Sequence, residues 1–117
     1  MATIFAKDEV TSDLKLAVTT KFFRALGDPA RLKILDSLME GEKNVGELVG
    51  LVGLSQGRVS SHLACLSQCG FVKSRRDGRL VYYSIADESV RQLLDTSQAM
   101  IAKNAERILA CTRVDAT

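Results

Sequence analysis

Residues 54–70 read Leu-Ser-Gln-Gly-Arg-Val-Ser-Ser-His-Leu-Ala-Cys-Leu-Ser-Gln-Cys-Gly, and no other stretch narrows the folding options of the chain so far. Ser55 suits an N-cap, because its side-chain oxygen accepts an otherwise orphan amide proton. Gly70 suits a terminator, because it takes the left-handed conformation without a Cβ penalty. At about 100° per residue, Val59, Leu63 and Leu66 fall on one narrow apolar stripe. Gly57, Ser61, Ala64 and Gln68 fall opposite, a small and polar face with no bulky side chain to hold bases away. Cys65 and Cys69 fall together on the flank. The spacing predicts one helix with a core face, an outer face suited to DNA, and a pair of sulfurs.

With 117 residues, 46% of them hydrophobic, the chain suits one compact domain. The first nine residues lack the basic start and apolar run of a signal peptide, and no apolar run is long enough for a membrane span. A soluble cytoplasmic protein is the expectation. Three cysteines make an odd count, unlike a secreted disulfide framework. In a reducing compartment such thiols are buried, metal-binding or reactive. The formal net charge is only +2, yet residues 55–83 hold five Lys/Arg against one Asp. A concentrated positive patch suits phosphate neutralisation; on charge alone a solvated basic face fits as well.

Residues 1–11 read as a mobile arm, 12–111 as the domain and 112–117 as a tail. Leu14, Val18, Phe22 and Leu26, with Phe23 beside them, predict an amphipathic helix from Ser12 or Asp13. Gly27-Asp28-Pro29 ends it and starts a second, with Asp28 as cap and Pro29 in the first turn. Leu32, Leu35, Leu38 and Met39 are its expected buried face, and Gly41 stops it. Asn44 with Glu47 resembles a capping box for a short third helix, whose apolar positions are Val45, Leu48, Val49 and Val52. Gly53 turns the chain into the Ser55 helix. Two short helices joined this way read as helix-turn-helix, although the periodicity alone fits any small helical bundle.

Residues 71–76 and 80–85 are β-prone. Asp77-Gly78 between them signals a hairpin with a type I′ turn, a wing directly behind the expected reading helix. Arg75, Arg76 and Arg79 sit on or near its tip, within reach of phosphate or the minor groove. Tyr82 and Tyr83 read as wing packing. A last helix starts near Asp87-Glu88 and runs to about Ala110. It is longer than a core this small needs, and its apolar side (Val90, Leu93, Leu94, Ile101, Ala105, Ile108) suits either the first helix or a two-fold dimer interface, the second being favoured. The fold class is therefore mainly α with a β-hairpin wing, a winged helix-turn-helix homodimer.

This order of elements resembles the ArsR/SmtB family of winged-helix repressors. The residues that carry the resemblance are Phe23-Arg-Ala-Leu-Gly-Asp-Pro-Ala-Arg-Leu-Lys-Ile-Leu35, Leu54-Ser-Gln-Gly-Arg-Val-Ser-Ser-His-Leu63 and Asp77-Gly-Arg-Leu-Val-Tyr-Tyr-Ser-Ile85, within a match covering about residues 14–110. It implies a homodimeric repressor on double-stranded operator DNA, released by an inducer that is often a metal ion. On that resemblance Gln56, Ser60 and Ser61 occupy DNA-contacting positions. Gly57 stands where relatives often carry a longer polar residue. Arg58 and Arg79 are added on charge and placement.

Inducer sites differ within the family. The Asp-x-His site of the last helix has no counterpart at Asp87-Glu88-Ser89, and the third helix lacks a Cys-x-Cys-type motif. Cys65-Leu-Ser-Gln-Cys69 places two sulfurs one turn apart, with Cβ atoms about 5–6 Å from each other. The run His62-Leu-Ala-Cys-Leu-Ser-Gln-Cys-Gly-Phe-Val72 resembles the cadmium- and lead-sensing CmtR subgroup, in which a third cysteine from the C-terminal region completes the site; Cys111 is the candidate here. Three thiolates suit Cd(II) or Pb(II), with As(III), Hg(II) and Zn(II) as alternatives, over oxygen-preferring Mg(II) or Ca(II). Small half-buried packing residues are the plain alternative for the cysteines, and a thiol redox switch is another. His62 reads as a DNA-facing or hydrogen-bonded residue more than a fourth ligand. With one His, no Cys-x-x-Cys, no phosphate-binding Gly loop and no clustered carboxylates, an enzyme is not expected.

Overall fold

A computed structural model describes residues 11–115. The expected arm therefore lies outside the described residues except for Thr11, and residues 116–117 of the tail lie outside them too. The described chain divides into two compact units between Ala86 and Asp87, each taken by itself below.

The first unit begins with α1 (Ser12–Leu26), capped by Thr11, whose hydroxyl accepts from the Leu14 amide. Asp28 caps α2 (Pro29–Met39), with Pro29 in its first turn. A two-residue strand β1 (Lys43–Asn44) leads into α3 (Val45–Val52). Its capping box is complete: Asn44 Oδ1 accepts from the Glu47 amide and Glu47 Oε1 from the Asn44 amide, both at 2.9 Å. Ser55 caps α4 (Gln56–Gln68). Strands β2 (Val72–Asp77) and β3 (Leu80–Ile85) close the unit.

Three helices and the sheet enclose one core. Ile34, Leu35 and Leu38 of α2, Leu48 of α3, and Val59, Leu63 and Leu66 of α4 are fully buried, with Phe71 and Val72 at the root of β2 and Ile85 at the end of β3. Phe22 of α1 reaches this core through a tilted ring contact with Phe71, centroids 4.9 Å apart. The expected α2 face needs one change: Ile34 is buried and Leu32 is 44% exposed. Two apolar stripes overlap on this helix, and the one in register with Arg31 faces inward. In α1 the amphipathic helix forms as expected, yet only Ala25 is buried, and Leu14, Leu16 and Phe23 are exposed.

The sheet is antiparallel with order β1-β3-β2, so β3 is the central strand. The strand β1 has no signal in the sequence; it pairs Lys43 with Tyr83 and Asn44 with Tyr82. The hairpin forms where expected, but its turn differs. Asp77 pairs with Leu80, which makes Gly78 and Arg79 the two central residues. Gly78 has φ +62°, and among the described residues no non-glycine has positive φ. Glycine first, with a negative φ after it, is the type II′ arrangement rather than type I′.

The second unit is α5 (Glu88–Ala110), capped by Asp87, with Val90 and Leu94 buried. Its 23 residues span about 35 Å. Met100, Ile101, Ile108 and Leu109 are exposed.

Candidate nucleic-acid interface and thiol pair

Helix α4 is held at both ends and along one side. Ser55 Oγ accepts from the Arg58 amide at 3.3 Å. At the other end Gly70, with φ +83°, reverses the chain. The Phe71 amide donates to Leu66 O at 2.9 Å and the Gly70 amide to Ser67 O at 3.1 Å, the paired bonds of a Schellman motif. Leu66 and Phe71, which flank that motif, are both buried. With Val59, Leu63 and Leu66 fixed inward, the opposite side is presented to solvent: Gln56, Gly57, Arg58, Ser60 and Ser61 are all exposed. These hydroxyl, amide and guanidinium groups suit phosphate and base-edge contacts.

The wing carries its cations differently. Arg75, Arg76 and Arg79 are exposed, but Arg75 is engaged. Its Nε donates to Glu42 Oε2 at 2.8 Å and its Nη2 donates to Glu42 Oε1, a bidentate clamp across to the residue preceding β1. The guanidinium also stacks over the Tyr82 ring, 4.7 Å from the centroid. Hydrogen bonding from Arg75 is the main force holding the Glu42 carboxyl below its ordinary range, with the charges of Arg75 and Lys73 adding to it. Nothing in the local sequence announces this pair, which joins residues 33 positions apart.

Cys65 and Cys69, one turn apart on α4, lie near enough for each thiol to feel the other. Cys65 is half-buried, and Cys69, the C-cap of α4, is exposed. Burial pushes the Cys69 thiol above the ordinary thiol range. The Cys65 thiol pushes the same way by charge and hydrogen bond, while the charges of Arg31 and Lys21 oppose it. The pair is thus a reduced dithiol with two cations nearby, a soft donor set that fits a thiophilic ion better than a hard one. Cys111 lies in the second unit, half-buried at the C-cap of α5, its amide donating to Ile108 O at 3.1 Å. All three cysteines are free. Among the described residues of one chain, no group of three or more His, Cys, Asp or Glu side chains gathers as a metal site.

His62 neither points to open solvent nor joins a ligand cluster. Its side chain is 18% exposed, and Nδ1 lies 3.3 Å from Arg31 Nη1 and 3.9 Å from Asp28 Oδ2. Arg31 also donates from Nε to Ala25 O at 2.7 Å and from Nη2 to Arg24 O at 3.2 Å. The Arg31 amide caps onto Asp28 at 3.0 Å. That bond is the main reason the Asp28 carboxyl titrates low, with the charges of Arg31 and His62 helping. The hydrogen-bonded reading of His62 matches this geometry. The role of Arg31 was legible only as a residue three past a helix cap.

Comparison with known proteins adds four observations. Residues 28–74 match the model of the family described as bacterial regulatory protein, arsR family. The chain is 46% identical to a probable mercury resistance operon repressor of Streptomyces lividans, over 82% of this chain and 77% of that protein. It is 34% identical to the transcriptional regulator CmtR of Mycobacterium bovis, over 82% of this chain and 90% of that one. Among solved structures, the homodimeric winged helix-turn-helix DNA-binding domain of a possible ArsR-family regulator from Mycobacterium bovis superposes with a TM-score of 0.72. The two are 32% identical, over 84% of this chain and 88% of that one.

Proposed function

The chain belongs to the ArsR family of bacterial regulatory proteins, and on that premise we propose that it is a metal-responsive repressor that holds operator DNA as a homodimer and releases it on binding a soft, thiophilic ion. It is a regulator and not an enzyme. Cd(II) and Pb(II) are the ions favoured, held by Cys65, Cys69 and Cys111.

The observation that carries this reading is the thiol pair on the reading helix itself. Gln56, Gly57, Arg58, Ser60 and Ser61 meet the DNA from the N-terminal half of α4, and Cys65 and Cys69 occupy its last turn and cap. Arg75, Arg76 and Arg79 add charge from the wing. Exposed apolar side chains on α1 and, separately, on α5 support a second copy as partner, as does the homodimer formed by the related Mycobacterium bovis domain.

Bound, the ion supplies metal–sulfur bonds in place of S–H bonds, the protons passing to water. The protein supplies the leverage. Leu66 sits between the two cysteines in sequence and is fully buried, and Cys69 shares the Schellman turn with the buried Phe71. Once side-chain rotation is used up, any further pull on the sulfurs toward a third ligand works against that packing. The displacement passes to α4 as a whole, and with it to the residues that meet DNA.

A second reading, Hg(II) as the inducer, is favoured by the higher identity to the Streptomyces lividans repressor. Hg(II) is satisfied by two thiolates, which Cys65 and Cys69 provide without Cys111. Anaerobic titration of reduced protein, followed by thiolate-to-metal charge transfer, separates the readings. A Cd(II) or Pb(II) band at one ion per chain, lost in Cys111→Ser together with DNA release, supports the three-sulfur site. A Hg(II) response that survives Cys111→Ser supports the two-sulfur site. Absence of any band returns the cysteines to packing or redox chemistry.

A further inference from the structure

We infer that Arg31 is the positioning residue that carries the state of the Cys65–Cys69 pair from the reading helix to the C-terminal end of α1. The inference rests on the thiol pair as the sensing site and concerns how its occupancy is transmitted.

Three observations converge on this side chain. First, its guanidinium is divided between two helices. Nε and Nη2 hold the Ala25 and Arg24 carbonyls at the end of α1, and Nη1 meets His62 in the middle of α4. Second, His62 lies one turn before Cys65 and two turns before Cys69, so all three share one stripe of α4. Third, the charge of Arg31 is felt at Cys69, as is that of Lys21 of α1. The backbone of Arg31 is fixed by the Asp28 cap, so its side chain is aimed rather than free to wander.

The reduced dithiol is neutral, and Arg31 is then spent on carbonyls and imidazole. Two thiolates around a divalent ion are also neutral, but a third thiolate makes the complex a net anion. That charge arises on the same stripe as His62. A guanidinium with a fixed backbone answers it by leaning toward the sulfurs, which weakens its bonds to His62 and to the α1 carbonyls. Arg24 and Ala25 end the helix whose Leu14, Leu16 and Phe23 are exposed. Loading of the thiols is thereby felt at a surface suited to a second copy. A charge placed there without the fork would sustain ion affinity and transmit nothing, because a compact ammonium does not span the α1 carbonyls and His62 as the planar fork does.

The test compares wild type with Arg31→Gln and Arg31→Lys, using Cd(II) alone as the probe and a labelled duplex that the metal-free protein selects from a random pool. Charge transfer reads ion affinity; fluorescence anisotropy reads duplex affinity with and without Cd(II). The ratio of the two duplex affinities is the coupling. R31K is expected to keep ion affinity near wild type while the ratio falls by about tenfold. R31Q is expected to lose the ratio equally and to weaken the ion severalfold. A wild-type ratio in R31Q, or its full rescue in R31K, overturns the inference. If R31Q loses its helical circular dichroism, His62→Leu removes the other end of the bridge and leaves the carbonyl bonds, and an undiminished ratio there overturns it equally. Failure of wild type to give any Cd(II) band would instead remove the sensing site on which the inference stands.

Discussion

Helix α4 and the wing both expose cations and hydroxyls, the groups proposed to meet DNA, but they are held by different physics. Helix α4 buries three whole side chains and ends in a Schellman motif seated on Phe71. In β2 only Val72 is buried, and the five residues after it are exposed. What positions that strand is its pairing to β3 and the exposed Arg75–Glu42 clamp. Packing fixes a helix to within a fraction of an ångström. An exposed ion pair is weak and yields to salt or to a competing phosphate. On the proposed function, this contrast suits the helix to reading sequence and the wing to adjusting to the backbone of the duplex.

Four changes test that contrast. Leu63→Ala empties a fully buried site on α4 and is expected to cost about 2–5 kcal/mol in urea unfolding. A loss under 1 kcal/mol would mean that the helix is not anchored as described. Gly70→Ala comes next. A Cβ there meets nothing within 4 Å, so the cost is backbone strain at φ +83°, about 1–2 kcal/mol. Arg79→Ala is expected to leave unfolding unchanged and to reduce the slope of log affinity for DNA against log salt by about one. An unaltered slope would take the turn of the wing away from phosphate.

Glu42→Gln should have the smallest effect on stability and the most telling effect on the wing. It releases Arg75, so DNA affinity at low salt rises and the salt slope steepens, while urea unfolding barely moves. Glu42 titrates below its unfolded value. The contribution of the clamp is therefore present above the ordinary carboxylate range and is lost only as pH falls through the lowered value. Wild-type DNA binding should show no Glu42-dependent change near neutral pH. A change there that E42Q abolishes would mean that the clamp is looser than it stands.

The helix was legible because its determinants are local. Ser55, Val59, Leu63, Leu66 and Gly70 follow one another at steps of three or four residues, and the Asn44–Glu47 box and the Asp28-Pro29 start are as local. The hairpin was legible as a hairpin, but not its turn. Asp-Gly is compatible with more than one register, and the pairing of Asp77 with Leu80 moved Gly78 to the first central position. Of the candidate DNA-facing residues of α4, the wheel marked Gly57 and Ser61, whereas Gln56 and Ser60 came from the family resemblance and Arg58 from charge. The engagement of Arg75 was not, because its partner Glu42 is remote in sequence and the strand that brings it near is two residues long. The same holds for Arg31 and His62, which meet only after α2 and α4 have packed.

Local chemistry in the chain determined which segments are helices and which form the wing hairpin, where the helices are capped, which side of α4 is apolar, and that two thiols share one turn of it. Those outcomes depend on dihedral preferences and on side chains three or four positions apart. Tertiary packing decided which of two overlapping stripes on α2 faces inward, that β3 is the central strand, and which arginines are spent within the fold. Each of those depends on pairs of groups about 30 positions apart or more, whose meeting is set by the whole core and by no local preference.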